Sequence, residues 1–407
     1  MKKQIIIFAI AFLSACQNSS YRDLTLSSVL PIDEKQSILP NELFIGIADR
    51  KSEQELEQIL NKNGLYLFST NEEGDTPLGV AIKFYNKEGA LFLAKQMSPK
   101  HYLHQNLNGE GYLFLASQKG HVTLIKLLAK NFYESQSEFL TDYEFDDLDM
   151  KTNQGERALH VAQNSVVAEA LETEYNKGFL EVPYREFQFL RNNDGQSFLH
   201  TAIRDRNSDL LRWGVNDNCH TLTEWQELSW YEKILPYFWE GYQRYAGYVG
   251  FVNLDWDNLI NTTDNQELSP INLSAKNLFL EGIQILSTCQ WTNYLLEDEN
   301  GNLPLQNFLL SLDPLVEKHD EELKSTFTLL TEKESRLTVA VKTDHINSTN
   351  KKGNSSLHIS AKLADPFFYN YLKQYGNEEQ KNTEGKTARE IFELKHGKKT
   401  ENIGYNN

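Results

Sequence analysis

Apolar and small residues recur along this chain at fixed distances from a turn residue, which is usually glycine. After Gly74, leucine follows at four positions and alanine at seven, giving Leu78 and Ala81. The same spacing, or a weaker form of it, returns after positions 41, 74, 109, 155, 195, 267, 301, 353 and 385. Several of these positions lie 32 to 35 residues apart, and the longer intervals indicate insertions. A period near 33 predicts stacked helical repeats, because one such unit cannot bury its apolar face alone.

A second apolar feature supports this register. Apolar pairs follow five of the turn positions by 18 and 19 residues, where a second helix would face the neighbouring repeat. They are Ile59-Leu60, Phe92-Leu93, Leu127-Leu128, Ile285-Leu286 and Tyr371-Leu372. The first helix has start signals, because Thr76 and Ser269 can cap its N-terminus and Pro77 and Pro270 then occupy its first position. Each repeat is therefore predicted to contain two helices.

These motifs resemble the ankyrin repeat, whose signature is close to D-x-x-G-x-T-P-L-H-x-A-A, followed by G-H and L-L-x-x-G. The segment Gly74–Ala81 matches it best, and Gly109–Ala116 leads on to Leu127-Leu128. The resemblance covers roughly residues 39–396 and implies an all-α fold, an ankyrin-repeat solenoid of about nine or ten degenerate helix-turn-helix repeats. In that family the histidine of the Leu-His pair forms loop hydrogen bonds. The histidines expected to be structural on this basis are His160, His200 and His358.

The N-terminus predicts export and lipid attachment. Lys2 and Lys3 precede nine apolar residues, Ile5–Leu13, too few for a membrane span of about 20 residues. Leu13-Ser14-Ala15-Cys16 then resembles the lipobox of bacterial lipoproteins. This resemblance implies a signal peptide at residues 1–15, lipidation of Cys16, a tether at 16–38 and, because Gln17 follows, an outer-membrane anchor facing the periplasm. A plain signal peptide with an incidental cysteine is the alternative.

Charge and cysteine content narrow the possible partners. The chain carries 40 basic and 57 acidic residues, a net charge of −17, which becomes −19 when Lys2 and Lys3 leave with the signal peptide. This balance argues against a nucleic-acid partner, because neutralising phosphates requires clustered Lys and Arg. An oxidising periplasm would permit a disulfide between Cys219 and Cys289. Spacing does not decide between that and two buried thiols, and we favour the thiols.

An acidic insertion interrupts the repeats at residues 134–149 and contains no Lys or Arg. Its carboxylates can attract a basic protein partner, and a solvated loop is the alternative. The spacing lacks the glycine and the terminal glutamate of an EF-hand loop, which disfavours calcium binding. The candidate partner-binding residues are Asp142, Glu144, Asp146, Asp147 and Asp149.

A second insertion, at residues 213–260, holds five of the six tryptophans. The interval of 72 residues between turn positions 195 and 267 is close to two periods, so one interpretation is an eroded tenth repeat near 228–260. The other is an interface, because Trp and Tyr dominate binding hot spots, and both can hold if some rings are buried and others exposed. The candidate partner-binding residues are Trp225, Trp230, Tyr231, Tyr237, Trp239, Tyr242 and Tyr245.

Motifs for catalysis are missing from the sequence. It has no P-loop, no dinucleotide fingerprint, no G-x-S-x-G elbow, and no Cys or Glu cluster beside its histidines to support a zinc site. We therefore expect no enzyme activity, cofactor or metal, although an enzyme with a site within residues 203–260 is one alternative. Residues 397–407 are expected to form a polar tail.

The resemblance implies a protein-binding module, and we expect it to act as a monomer. Our hypothesis is an immunity-type inhibitor that occludes a secreted antibacterial effector, a lipase or peptidoglycan hydrolase with a basic surface. A structural scaffold that tethers an envelope protein complex to the outer membrane is the alternative.

Overall fold

The computed structural model describes residues 42–62, 64–136, 148–178, 186–227, 259–332 and 345–397. Contacts divide the chain into a first unit, residues 1–41, and a second unit, residues 42–407, to which every described residue belongs. Over the described ranges the regular structure is helical, and β pairing is limited to isolated bridges. Within the same ranges no helix combines the length and the apolar character that crossing a bilayer requires.

The helices come in pairs, a first helix that begins three residues after a turn position and a second helix behind it. In chain order the elements are α1 (Glu42–Ala48) and α2 (Glu53–Lys62); α3 (Pro77–Lys83) and α4 (Lys87–Gln96); α5 (Tyr112–Gln118) and α6 (Val122–Gln136); the 3-10 turn Ala158–Val161 and α7 (Ser165–Gly178); α8 (Phe198–Arg204) and α9 (Ser208–Glu227); α10 (Pro270–Lys276) and α11 (Leu280–Leu286); α12 (Pro304–Ser311) and α13 (Glu321–Glu332); α14 (Ser356–Ser360) and α15 (Phe367–Leu372); and α16 (Ala388–His396). Further 3-10 turns precede some of the turn positions, at Gly64–Phe68, Pro99–Leu103, Glu186–Phe189 and Leu259–Asn261.

The predicted start signals operate in two of the first helices. The Thr76 hydroxyl accepts a hydrogen bond from the Gly79 amide at 3.3 Å, and the Ser269 hydroxyl accepts one from the Asn272 amide at 3.4 Å. A proline follows each cap at the first helical position. These contacts satisfy donors that would otherwise be unpaired at the helix N-terminus, which confirms the prediction made from the sequence.

The apolar positions of the repeat form one core. Leu78 and Ala81 of α3 are both fully buried. Small residues at the alanine position let neighbouring first helices approach closely, and α3 packs against both α1 and α5. The apolar pairs of the second helices also join this core, with Leu93, Leu128 and Leu286 fully buried. The helix-turn-helix register predicted from these pairs is confirmed.

Each turn is closed by a short polar side chain. In the turn before Gly195, the Asn192 side-chain oxygen accepts hydrogen bonds from the amides of Asp194 at 3.0 Å and Gln196 at 2.8 Å. Gly195 adopts φ +73°, a left-handed conformation that glycine reaches without strain. The equivalent position 267 carries glutamate at φ +58° instead, a left-handed conformation that residues with a side chain rarely adopt.

Backbone hydrogen bonds join consecutive turns into a continuous ladder. In each step, the amide two residues before one turn position donates to the carbonyl one residue before the preceding turn position. The donor and acceptor pairs are Leu107 to Glu73, Asn153 to Asn108, Asn193 to Gln154, Asn265 to Asp194, Glu299 to Gln266, Lys351 to Asn300 and Thr383 to Lys352. The ladder fixes the order in which the repeats stack.

The ladder steps directly from the turn at 195 to the turn at 267. The Asn265 amide donates to the Asp194 carbonyl at 2.9 Å, and α8 packs against α10. The Arg191 guanidinium also donates to the Thr263 carbonyl at 3.2 Å. The repeats at 195 and 267 are therefore neighbours in the stack, and the tenth-repeat interpretation concerns residues that, apart from Leu259 and Ile260, lie outside the described ranges.

The first repeat begins two residues earlier than the sequence pattern indicated. The pattern placed its turn at position 41, with Ile45 and Ala48 facing the core, but both residues are exposed. Leu43 is fully buried, and the buried Gly46 takes the place of the alanine. Leu43 and Gly46 thus occupy the leucine and alanine positions of the repeat, two residues before Ile45 and Ala48.

Cys219 and Cys289 form a disulfide, so the favoured prediction of two free thiols is wrong. Their Cα atoms are 5.6 Å apart, within the range that a disulfide spans. Cys219 lies in α9 and Cys289 lies after α11, which are the second helices of the two repeats joined by the direct ladder step. The bond therefore ties together the two repeats that flank residues 228–258.

Candidate interaction surface

Most of the predicted site residues lie outside the described part of the chain. Trp225 lies in α9, but its side chain is not described, and Asp149 alone of the predicted set has a described side chain. The remaining predicted residues, all outside the described ranges, are Cys16, Asp142, Glu144, Asp146, Asp147, Trp230, Tyr231, Tyr237, Trp239, Tyr242 and Tyr245.

Asp149 has a structural position that removes it from the predicted partner-binding set. Its side chain is 3% exposed, and its carboxylate accepts a hydrogen bond from the Ala158 amide at 2.9 Å. The Arg157 guanidinium donates to the Asp149 carbonyl at 2.7 Å and lies 3.8 Å from its carboxylate. Asp149 thus caps the 3-10 turn Ala158–Val161, and a buried, paired carboxylate cannot contact a partner.

The aromatic insertion is shorter than its predicted limits of 213–260. Trp213 lies in α9, where its ring packs 5.6 Å from the ring of Phe198, so this tryptophan belongs to the core. At the other limit, Leu259 and Ile260 are fully buried. Trp213, Leu259 and Ile260 are therefore parts of the repeat stack, and residues 228–258 lie outside the described ranges.

Hydrogen bonds and a disulfide hold both ends of this insertion. The Asn261 side-chain amide donates to the Trp291 carbonyl at 2.9 Å, and its oxygen accepts from the Asn293 amide at 2.8 Å. The Cys219–Cys289 disulfide lies between the same two repeats. The described residues on both sides of 228–258 are thus fixed to the repeat structure.

The histidines of the Leu-His pairs join neighbouring repeats. The His200 Nε2 atom donates to the Leu268 carbonyl at 2.9 Å, and Nδ1 accepts from the Ser197 hydroxyl at 2.9 Å. Since a carbonyl can only accept, the proton must reside on Nε2. His160 and His358 make the equivalent contacts to the Gln196 and Lys386 carbonyls, at 3.2 Å and 3.3 Å. The predicted structural role is confirmed.

Gln306 makes the same contacts as a histidine in the repeat that begins at Gly301. Its side-chain oxygen accepts from the Leu303 amide at 3.1 Å, and its nitrogen donates to the Asn354 carbonyl at 3.4 Å, the acceptor equivalent to Leu268, and also to the Ser348 carbonyl at 2.9 Å. Glutamine can replace neutral histidine here because both present one acceptor and one donor at similar reach. The Leu-His motif does not reveal this substitution, since it specifies histidine and Leu305-Gln306 does not match it.

The three buried histidines are held neutral. Burial lowers the pKa of His160 and that of His200 to about 4, and it also lowers the pKa of His358. The cause is desolvation, which disfavours the charged imidazolium. Within the described ranges, no group of three or more His, Cys, Asp or Glu side chains is arranged to hold a metal ion.

Amide side chains form a second ladder along the edge of the turns. The Asn265 side chain donates to the Asn193 carbonyl, the Asn193 side chain donates to the Asn153 carbonyl, and the Asn153 side chain donates to the Leu107 carbonyl, each at 2.9 Å. Leu107 itself is 72% exposed. This edge presents amides and an apolar side chain in a fixed geometry, which suits hydrogen bonding and contact with a protein surface.

Together, the turn ladder, the paired helices and the Leu-His hydrogen bonds define an ankyrin-type helical repeat stack. No protein-family model and no curated protein matches the chain. Among solved structures, the chain is similar to the ankyrin repeat domain of Bcl-3, described as a unique member of the IkappaB protein family. That similarity has a TM-score of 0.41 at 13% sequence identity and covers 70% of this chain and 97% of that one. The fold assignment rests on the contacts within this chain.

Proposed function

We propose that this chain is a membrane-anchored periplasmic protein-binding module that inhibits a secreted antibacterial effector, a lipase or peptidoglycan hydrolase, by occluding it. The observation that carries the proposal is the direct ladder step between the turns at 195 and 267. Because these two repeats are neighbours, the tryptophan- and tyrosine-rich residues 228–258 connect adjacent repeats and are not needed to continue the stack. Such a segment is favoured as an interface, because Trp and Tyr supply most binding energy at protein contacts.

The proposed location rests on two features. Leu13-Ser14-Ala15-Cys16 resembles a lipobox, and lipidation of Cys16 would anchor the mature chain to the outer membrane, facing the periplasm. The Cys219–Cys289 disulfide supports an oxidising compartment, because cytosolic proteins seldom retain such bonds. The remaining acidic insertion residues, among them Asp142, Asp146 and Asp147, would steer a basic partner toward the stack.

A pull-down from envelope extract, with the purified protein as bait, tests the proposal. The expected result is a stoichiometric complex with one hydrolase, whose activity falls in proportion to the amount of protein added. Recovery of several structural envelope proteins instead would support a scaffold, and turnover of a substrate by the isolated protein would support an enzyme. Either result would overturn inhibition as the function.

Charge reversal tests whether the acidic insertion accelerates association with the partner by electrostatic attraction. Replacing Asp142, Asp146 and Asp147 by lysine should slow association with the captured hydrolase at low salt by about tenfold or more, because steering acts mainly on the association rate. The matched control reverses Asp320, Glu321 and Glu322, a described acidic segment at the start of α13. An equal effect of both triple variants, or no effect of the first, would contradict steering by the acidic insertion.

A further inference from the structure

One repeat of the stack lacks a turn of its first helix. In the repeats at Gly74, Gly109 and Gly195, the second helix begins 13 residues after the glycine. After Gly155 it begins at Ser165, only 10 residues later. Three missing residues amount to almost one turn of α-helix. The 3-10 turn Ala158–Val161 therefore takes the place of a seven-residue helix between α5 and α8.

The neighbouring repeats compensate for the missing turn through buried polar side chains. The Ser117 hydroxyl donates to the Ala158 carbonyl at 2.6 Å, and the Thr201 hydroxyl donates to the His160 carbonyl at 2.7 Å. The Asn207 side-chain amide donates to the Ala162 carbonyl at 3.0 Å. Ser117 and Thr201 are fully buried. Carbonyls released by the shortened helix are thus satisfied from both sides, and the short form is a stable part of the fold.

The missing turn leaves a cleft of about 340 Å³ between α5 and α8, which we call the short-helix cleft. Its floor consists of the apolar residues Val161, Ala162, Ala202 and Leu210 together with the buried, neutral His160. Its rim is polar and consists of Gln118, Gln163, Asp205 and Asn207.

The rim carries excess negative charge and open acceptors. Arg204 donates to both carboxylate oxygens of Asp205, at 2.9 Å and 3.2 Å, and to the Glu156 carboxylate at 2.9 Å. Two carboxylates and one guanidinium leave this trio with a charge of −1, and the Asp205 side chain is 51% exposed. The side-chain amides of Gln118 and Gln163 are exposed and have no hydrogen-bond partner among the described residues.

We propose that the short-helix cleft receives a lysine or arginine side chain from a protein partner. An aliphatic stem fits the apolar floor while its cationic head meets the Asp205 carboxylate and the glutamine oxygens at the rim, because such side chains bury the stem and keep the charge at a polar edge. A net charge of −17 on the chain favours a basic partner in the same sense. The inference rests on the proposed protein-binding function and assigns one contact within it.

Side-chain amide resonances of the purified protein, labelled with nitrogen-15 at glutamine, report on the cleft directly. The probes are the blocked peptides acetyl-Gly-Arg-Gly-amide and acetyl-Gly-Lys-Gly-amide, with the Gln and Glu versions as controls at equal ionic strength. We expect the two basic peptides to shift the Gln118 and Gln163 resonances in a saturable manner. No saturable shift up to about 10 mM, a range that covers weak single-residue contacts, or equal shifts with the Gln peptide, would overturn the inference.

Two variants locate the contact. Asp205→Asn should lower the affinity for the two basic peptides by about tenfold, since it removes a charge-assisted hydrogen bond. Asp49→Asn is the matched control, because Asp49 is also exposed and follows its first helix directly, as Asp205 follows α8, but lies away from the cleft. Equal weakening by both variants would overturn the assignment. Inserting three alanines after Val161 should restore the helix length and abolish the shifts.

The result is separable from the proposed function. If the peptides fail to bind while the protein still captures a partner from envelope extract, the assignment of a basic side chain to the cleft is wrong and the protein-binding function stands. If the peptides bind but no partner is captured, the cleft stands as a cation-accepting site and the inhibitor proposal fails.

Discussion

The Asn265 side-chain amide donates a hydrogen bond to the backbone carbonyl of Asn193 at 2.9 Å, across 72 positions of sequence. The two residues occupy the same place in their turns, two residues before positions 267 and 195. Their backbones are also joined, because the Asn265 amide donates to the Asp194 carbonyl. The repeats on either side of the aromatic insertion are therefore immediate neighbours in the stack.

Removing the aromatic insertion should leave the stack folded. With residues 228–258 replaced by a Gly-Ser linker of about 15 residues, the free energy of unfolding should change by less than about 1 kcal/mol, because loop length affects closure entropy only weakly. Thermal and urea unfolding followed by circular dichroism measures this. Asn265→Ala in the intact chain is the comparison and should cost about 1 kcal/mol. Loss of cooperative unfolding in the deletion variant would show that the insertion is part of the core.

Two glycines with the same backbone conformation should differ in their response to alanine. Gly155 and Gly385 both have φ +74°. A Cβ at Gly385 would meet nothing within 4 Å, whereas one at Gly155 would lie 2.8 Å from the Asn193 amide nitrogen and also clash with the Asn193 side chain. Gly385→Ala should cost about 1–2 kcal/mol from the left-handed conformation alone, and Gly155→Ala about 2–4 kcal/mol. Equal costs in urea unfolding would contradict the close approach of the turns.

His200 should be replaceable by glutamine but not by alanine. Gln306 already makes the histidine-type contacts in another repeat, so His200→Gln can keep one acceptor and one donor in place. We expect a loss below about 1.5 kcal/mol for His200→Gln and about 2–4 kcal/mol for His200→Ala, which leaves a cavity and an unpaired buried carbonyl. Urea unfolding at pH 7.5 measures both. A similar cost for the two variants would show that ring packing, and not hydrogen bonding, fixes this position.

Acid should begin to destabilise the stack above the pH range in which most carboxylates titrate. Burial lowers the pKa of His160 and that of His200 from an ordinary 6.5 to about 4, so the unfolded chain binds more protons between these values. The contribution of these two histidines to the free energy of unfolding is therefore greatest above pH 6.5 and decreases as the pH falls toward 4. Below pH 4 they cause no further loss. Urea midpoints measured from pH 7.5 to 4.5 should show this slope. A His200→Gln variant should have a shallower slope, and an unchanged one would exclude His200 as a cause.

Reduction of the disulfide should destabilise the protein without changing its fold. The bond closes a sequence separation of 70 residues, for which the loss of unfolded-state entropy corresponds to about 4.4 kcal/mol. Cys219→Ser should lower the free energy of unfolding by about this amount, as should a reductant acting on the unaltered protein. Adding the reductant to Cys219→Ser should have no further effect. A further decrease there would mean that the reductant acts elsewhere.

The repeat pattern could be predicted because its signals are local. Thr76 caps its own helix, and glycine allows the left-handed turn, so these positions are readable without knowledge of the neighbours. The first repeat was placed two residues too late because its alanine position holds Gly46, while Ile45 and Ala48 imitate the expected spacing on the exposed side. Gln306 was missed for a similar reason, since the motif specifies a residue type and the fold requires only a donor and an acceptor.

The sequence by itself determined the helix-turn-helix unit, its approximate period and the buried role of the Leu-His histidines. Each of these follows from residues close together along the chain. Only the tertiary structure decided that the turns at 195 and 267 are adjacent, that Cys219 meets Cys289, and that Asp149 caps a neighbouring turn. The missing three residues after Gly155 were countable in the sequence, but the cleft they leave exists only between α5 and α8. The physical reason is common to all four: hydrogen bonds, a disulfide and packing between distant segments depend on three-dimensional proximity, which the spacing of residues along the chain does not specify.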